Sequence, residues 1–207
     1  NRHYRAEVDA SGNKTIVPIT TGSGIADLVA ADQIGYRTIV ELKAAAKDHY
    51  IRGVRQGGNE EIFHMFVTPH IMAQLKLDAD FISNVRSAGV RGDGNQLFQG
   101  SESVMVDGVM VHEFRHVYHN DKAATQWGAS SNIPGTRVLF CGAQALGMAD
   151  LGEADYVEET FDYGNQYAIS VSKILGFLKP KFVPVQQTTS TPDTPEDFGV
   201  IVLDVAN

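Results

Sequence analysis

The chain has 207 residues, a length that suits one large domain or two small ones. Hydrophobic residues make up 43% of the chain and charged residues 20%, which provides for a packed core and excludes global disorder. The formal net charge of -8 excludes a surface built to bind nucleic-acid backbones, because such a surface needs clustered lysines and arginines. Cys141 is the single cysteine, so no disulfide can form within the chain.

The sequence predicts neither a membrane span nor a signal peptide. Its apolar runs all fall short of the ~20 residues that a helix needs to cross a bilayer. The first five residues, Asn1–Arg5, are polar and charged, unlike the start of a signal peptide. Because the sequence does not begin with Met, we expect a processed product or a fragment of a longer protein.

The first half of the chain predicts an extended segment, two helices and one strand. Residues 1–24 are rich in Gly, Ser and Thr and predict an extended arm or linker. Between Tyr36 and Tyr50 the apolar residues Ile39, Leu42, Ala46 and Tyr50 follow helical spacing, which predicts a helix with these four residues in one buried stripe. Residues 62–67 are almost all apolar and predict a buried strand. Thr68-Pro69 is a typical start for a second helix, with Thr as the cap and Pro in the first turn.

The second half alternates polar loops with short apolar segments. Residues 86–101 are rich in Gly and polar side chains and predict a long surface loop. Asp107-Gly108 lies between two valine-rich segments and predicts a hairpin. We expect a helix over 137–149, β-structure from Tyr156 onward, and a closing strand at 198–203. This irregular mixture of helices and strands favours the α+β class.

One motif is typical of a zinc peptidase. His112-Glu113-Phe114-Arg115-His116 matches H-E-x-x-H, in which two histidines on one helix face hold Zn²⁺ and the glutamate activates water. Here, however, the motif directly follows the β-branched segment at Val109, which favours a strand. In a strand, the two histidine Cα atoms would lie ~13 Å apart, too far for both rings to reach one zinc. We therefore predict that residues 108–117 are extended, and we predict no catalytic, cofactor or metal site; a zinc-dependent metallopeptidase using His112, Glu113 and His116 is the alternative.

Three further residues are candidates for chemistry or binding. Cys141 lies in an apolar segment and is best interpreted as a buried structural thiol. His64 lies inside the predicted strand at 62–67 and is interpreted as a core or interface residue. Trp127, in a polar loop, is either an anchor in a partner surface or a side chain packed under its own loop.

Several short motifs occur in a fixed order along nearly the whole chain. They are Asn1–Ala6, Ala31–Ile34, Phe66–Pro69, Leu75–Asp78, Asn95–Gly100, Val106–Glu113, Leu139–Leu146, Asp162–Asn165 and Asp197–Ile201. In this order they resemble the major capsid protein family of N4-like podophages, a branch of the HK97-fold shell proteins. The resemblance covers about the C-terminal half of that family's sequence. In that family the His-Glu pair belongs to a strand and has no metal role.

The resemblance implies an α+β, HK97-like capsid fold with a peripheral and an axial domain. Residues 1–61 would supply an N-terminal extended segment and the long helix of the peripheral domain, residues 62–155 the axial domain, and residues 156–207 the C-terminal strands of the peripheral domain. We expect the helix at 36–50 to be the long central helix, covered by strands at 165–176 and 198–204.

The resemblance also implies a structural protein rather than an enzyme. It would be a subunit of an icosahedral phage capsid, self-assembling into pentameric and hexameric capsomers, located in the virion and assembled in the host bacterial cytoplasm. The shell would enclose double-stranded DNA without sequence-specific binding, and decoration, portal or scaffolding proteins are further expected partners. No cofactor and no membrane contact are implied.

Overall fold

The computed structural model describes residues 2–19, 25–55, 61–88, 103–182 and 195–207. Within these ranges the α-helices are α1 Tyr36–Asp48, α2 Pro69–Leu77 and α3 Ala79–Ala88. The strands are β1 His3–Val8, β2 Lys14–Pro18, β3 Val54–Arg55, β4 Glu61–Val67, β5 Ser103–Val106, β6 Val109–Glu113, β7 Gly135–Cys141, β8 Gly147–Asp150, β9 Asp155–Phe161, β10 Gln166–Ser172, β11 Leu175–Leu178, β12 Lys181–Phe182, β13 Glu196–Asp197 and β14 Val200–Ala206. Among the described residues, no helix has the length and apolar character needed to cross a membrane.

A mixed sheet of eight strands forms the body of the protein. Its order is β2-β1-β14-β7-β4-β6-β5, and β3 pairs with β4 beside this path. The closing strand β14 lies inside the sheet, parallel to β1 and antiparallel to β7. Strands β4 and β6 are parallel, so the chain between them must cross over the sheet, and it includes α2 and α3. This combination of mixed sheet and helices is the α+β architecture that the sequence predicts.

The helices and the sheet share one hydrophobic core. Alternation along β4 buries Phe63, Met65 and Val67 on the core side and leaves His64 and Phe66 half-buried on the opposite face. The other fully buried large side chains of this core are Ile34, Ile39, Leu42, Ile71, Met72, Leu75, Phe140, Ile201 and Leu203. The core therefore joins all three parts of the chain that the sequence predicts as separate segments.

Helix α1 confirms the predicted helix at 36–50, apart from its last two residues. Its start is held by Asp78, whose Oδ2 accepts the Tyr36 backbone N–H at 3.0 Å while Oδ1 accepts Lys14 Nζ at 2.8 Å. Of the predicted stripe at Ile39, Leu42, Ala46 and Tyr50, the first three residues are buried. The prediction is wrong for Tyr50, which is 93% exposed because the helix has ended before it. At its end, Tyr50 takes a left-handed backbone conformation with φ 57° and turns the chain toward β3.

Residues 147–178 leave the body as a two-stranded ribbon, called the arm below. Strand β8 pairs with β11 and β9 pairs with β10, both antiparallel, and a short 3-10 turn at Asp162–Gly164 joins β9 to β10. Side chains along these strands are exposed, including the large apolar ones. The predicted β-structure after Tyr156 is therefore confirmed, but it forms a ribbon outside the main sheet.

The predicted helix at 137–149 is wrong. The segment forms β7, a turn and β8, because Val138 and Phe140 alternate with Arg137 and Leu139 across the central sheet. The leucines and alanines of 139–146 suggested helical propensity, but the long ladder between β7 and β14 decides the conformation.

Two expectations about the periphery of the fold are also wrong. The predicted arm or linker at 1–24 contains β1 and β2, which belong to the main sheet and bury Tyr4 and Ala6. The strands at 165–176 do not cover α1, because β10 is exposed along its whole length. Strand β14 does contribute to the core around α1, through Ile201 and Leu203.

The hairpin at Asp107-Gly108, the strand at 62–67, the helix after Thr68-Pro69 and the closing strand are confirmed. Asp107 and Gly108 both have positive φ, 46° and 73°, as the tight turn between β5 and β6 requires. Of the loop predicted at 86–101, residues 86–88 belong to α3 and the remainder lies outside the described residues.

The burial of α1 leads to a test of the core. Replacing Leu42, which is fully buried, with Asp should destabilise the protein by several kcal/mol, because the carboxylate would lack a partner in an apolar core. The matched control is Ala44→Asp, which places the same residue on the exposed side of the same helix and should cost about 0.5 kcal/mol. Chemical denaturation measures both; equal losses for the two variants would contradict the packing described here.

Candidate functional site

The H-E-x-x-H motif lies at the end of a strand and in the turn that follows. Strand β6 runs to Glu113, and the Phe114 N–H continues the ladder by donating to Val67 O at 2.8 Å. Residues 115–117 then turn, so the predicted extended conformation is confirmed up to Phe114 and is wrong beyond it. The His112 ring faces His64 and Phe66, whereas the His116 ring packs edge-on against Phe114.

The two histidines of the motif therefore engage different neighbours and do not share a helix face. Within the described ranges, no three His, Cys, Asp or Glu side chains are grouped so that they could hold a metal ion. The geometry of the motif gives the zinc-peptidase alternative no support. Glu113 lies on the strand itself, half-buried at its end.

His64 and His112 form a pair on the outer face of the main sheet. His64 Nδ1 lies 3.0 Å from His112 Nε2, and the nearly parallel rings, at 16°, have centroids 5.3 Å apart. Two imidazoles can share such a hydrogen bond only if at least one is neutral, because one nitrogen must accept. Burial, and secondly the charge of His64, lower the pKa of His112 below its ordinary 6.5. The pair thus resists protonation of His112.

Cys141 lies on strand β7 and not on the predicted helix, and the predicted full burial of its thiol is wrong. Its backbone lies opposite that of His64 in the β4–β7 ladder, and its side chain is half-buried. Burial raises the pKa of its thiol to about 11. A thiol with so high a pKa is a poor nucleophile at neutral pH.

Trp127 is packed under its own loop, the second of the two predicted alternatives. Its ring lies directly against the backbone of Gly135, where a Cβ would fall 2.1 Å from the ring carbon Cε3. Leu28 and Ile133 pack against it, and Tyr118 stacks on it at 6.3 Å. Trp127 therefore serves the stability of the loop and is not free to anchor a partner.

The arm carries an apolar face that nothing within the described chain covers. The register of β9 and β10 places Tyr156 opposite Val171 and brings Tyr167 and Ile169 to the same face, where Thr160 and Glu158 lie opposite these two. The four apolar side chains are 60 to 73% exposed. Closer to the body, Met148, Leu175 and Phe177 share one face of β8–β11 and are also exposed. A patch of this kind on a two-stranded ribbon marks a contact surface, because such a ribbon is marginally stable alone.

A second surface feature is a groove of about 980 Å³ at the base of the arm. One side of the groove is formed by the end of α1 and by β3. The other side is formed by the turns that flank the arm. Its lining residues are Lys47, Tyr50, Ile51, Arg52, Gly53, Val54, Arg55, Glu61, Ala143, Gln144 and Phe198. Three separate parts of the chain build this groove, which is why no local sequence pattern predicts it.

Backbone hydrogen bonds join the walls of the groove. The Ala143 N–H donates to Arg52 O at 2.7 Å, and the Gly142 N–H donates to Gly199 O at 2.8 Å. Gly142 is needed here, since a Cβ would lie 2.5 Å from Arg52 O. These contacts clamp the segment before β3 onto the turn that begins the arm, so the groove and the base of the arm form one unit.

The whole chain matches a protein-family model described as phage capsid protein, over residues 1–207. A curated relative, the major capsid protein of Pseudomonas phage KPP25, is 51% identical over 196 residues. That alignment covers 94% of this chain and 50% of the relative, so the chain spans about half the length of the curated relative it matches.

Solved structures similar to this chain are phage capsids. The chain matches the cyanophage Pam1 capsid with a TM-score of 0.70 and 20% identity, over 99% of this chain and 54% of the other. It matches the capsid of Ralstonia phage GP4 with a TM-score of 0.59 and 24% identity, over 88% of this chain and 49% of the other. These matches confirm the predicted α+β, HK97-like capsid fold.

The histidine pair predicts a pH dependence of stability. Because the folded-state pKa of His112 is lowered, the unfolded chain binds more protons, and stability should fall as pH drops below about 6.5. His112→Phe should reduce this loss because it removes the titrating group, and His64→Phe should reduce it less because it removes only the secondary cause, the charge of His64, and leaves the burial of His112. Part of the dependence should persist through His49, whose pKa burial also lowers. Denaturation at pH 7.5 and 5.5 measures the loss of stability between these two pH values. A loss in both variants equal to that of the wild-type protein would contradict the prediction.

Proposed function

Since the chain belongs to the phage capsid protein family, we propose that it is part of a structural, non-enzymatic subunit that self-assembles into an icosahedral phage capsid. The observation that carries this proposal is the arm, a two-stranded ribbon on which seven of the exposed large apolar side chains share the two faces described above. A monomer in solution would leave this surface in water at a free-energy cost of roughly 25 cal/mol per Å². Repeated contacts between copies would bury it.

The shell is proposed to consist of pentameric and hexameric capsomers. A subunit that repeats around symmetry axes must present surfaces complementary to each other on one chain. The arm and the groove supply an apolar projection and an apolar recess on the same molecule. The predicted domains, 1–61 and 156–207 peripheral and 62–155 axial, and the N4-like subfamily remain predictions within this proposal.

Double-stranded DNA is the proposed content of the shell, enclosed without sequence-specific binding. The net charge of -8 suits a wall that does not bind the DNA backbone, since tight binding needs clustered cations. Decoration, portal or scaffolding proteins are proposed as further partners. The virion is the proposed location of the protein, with assembly in the host bacterial cytoplasm.

Electron microscopy of the full-length protein tests the proposal. Closed particles of uniform diameter are the expected result. A full-length protein that stays monomeric or forms only irregular aggregates, under conditions that preserve its fold, would overturn the proposal.

A double substitution on the arm should separate assembly from folding. Ile169→Asp with Val171→Asp places two charges on the apolar face and should abolish particles, because the charges would be desolvated on assembly. The main sheet should keep its stability, as both residues are exposed. The control, Ser170→Asp with Ser172→Asp, adds the same charges to the opposite face of the same strand and should reduce particle yield much less. Equal yields for the two double variants would contradict the role of the apolar face.

A further inference from the structure

We propose that the tip of the arm of one subunit, residues 161–165, docks into the groove of a second copy of the same subunit. This inference rests on the proposed shell function and names the two surfaces that meet. The tip is an exposed aromatic and acidic turn, and the groove is an apolar recess with a basic rim. Shape, charge and position in the fold each support the pairing.

The tip presents a tyrosine on a backbone that few non-glycine residues adopt. Asp162 and Tyr163 have φ values of 53° and 55°, and Gly164 follows with 89°. The Asn165 N–H closes the turn on Asp162 O at 3.0 Å. As a result the Tyr163 side chain projects fully into solvent. Aromatic side chains in such a position are the usual anchors of protein interfaces.

The outer half of the arm is acidic. Residues 156–172 contain Glu158, Glu159 and Asp162 and no lysine or arginine. None of these three carboxylates forms an ion pair with another described residue. They are therefore available to a cationic partner surface.

The groove carries the opposite charge. Lys47, Arg52 and Arg55 line it together with a single acid, Glu61, and these three cations likewise form no ion pair within the described ranges. Ile51, Val54 and Phe198 supply its apolar walls. At about 980 Å³ the recess lies at the upper end of the size of ligand pockets, which leaves room for a turn of several residues. Complementary charge of this kind sets partner choice and register.

The tip cannot fill the groove of its own subunit. Ala143 and Gln144 line the groove immediately before the arm begins, and Phe198 follows after it returns, so the groove lies at the base of the arm. The tip lies at the other end, beyond the seven residues of β9, which alone span about 23 Å. The contact must therefore join two copies. Because the two surfaces differ, it is a head-to-tail contact, which closes into rings when the rotation between copies allows.

Cysteine cross-linking in the full-length protein tests the contact. In a background that carries Cys141→Ala, one tagged population carries Asn165→Cys, which leaves Tyr163 in place, and a second carries Val54→Cys. The two are co-assembled and treated with a short bismaleimide. The expected result is a cross-link between the two tags in particles and none in unassembled protein.

The matched control replaces Val54→Cys with Met105→Cys. Both positions are 40% exposed, but Met105 lies on the edge strand β5 and outside the groove. Cross-linking at position 54 should exceed that at 105 by at least about tenfold, since effective concentration depends on geometry. Equal yields at both positions, or no cross-link at either, would overturn the proposal.

Charge reversal supplies an independent test. Arg52→Glu with Arg55→Glu should slow assembly at low salt by at least about tenfold, as should Glu158→Lys with Glu159→Lys. Combining all four should restore the rate to within about threefold of wild type, whereas Arg86→Glu, on the exposed surface of α3, should change it little.

Particle formation by wild-type protein separates the two proposals. If wild-type protein forms no particles, the proposed function itself fails. If it forms particles but the four-residue reversal does not restore assembly, the docking contact is wrong and the shell function stands.

Discussion

The pairing of β7 with β14 is the constraint on which the rest of the structure depends. The two strands are in register over seven residue pairs, from Val200 opposite Cys141 to Ala206 opposite Gly135. The chain between them must therefore leave the sheet and return to the same point. Residues 142–199 accordingly include an arm that projects from one site, and the turns at its two ends form one side of the groove. One ladder thus places both proposed contact surfaces.

A buried polar network also stabilises this ladder. Asp204 on β14 is fully buried. Its carboxylate accepts a hydrogen bond from Nε of Arg137 on β7 at 2.9 Å and lies 2.7 Å from Nε2 of His3 on β1. A buried carboxylate is tolerated only when its oxygens are satisfied, so this network favours one arrangement of the three strands. The body packs around one core, whereas no second layer packs against the arm among the described residues. Assembly would stabilise the arm by mass action, because only the folded subunit offers the surfaces that bind.

The sequence predicted local structure well where local chemistry decides it. Asp107-Gly108 allows a tight turn, Thr68-Pro69 starts a helix, and the stripe at Ile39 and Leu42 buries one helix face. Predictions failed where the pairing of strands distant in the sequence decides the conformation. The segment at 137–149 has helical composition but completes a central sheet, and the apolar strand β10 suggested a core although it is exposed. The groove was not predictable, because its walls come from residues about 90 and 145 positions apart in the chain, such as Arg52, Ala143 and Phe198.

Hydrogen exchange of the backbone amides tests most directly the claim that assembly buries the arm. In the free subunit the amides of β9 and β10 should exchange rapidly, since an isolated ribbon opens easily. In assembled particles their exchange should slow by at least about tenfold, whereas the β7–β14 ladder should change little because it is already protected in the body. Equal exchange of the arm in the free and assembled states would contradict the account.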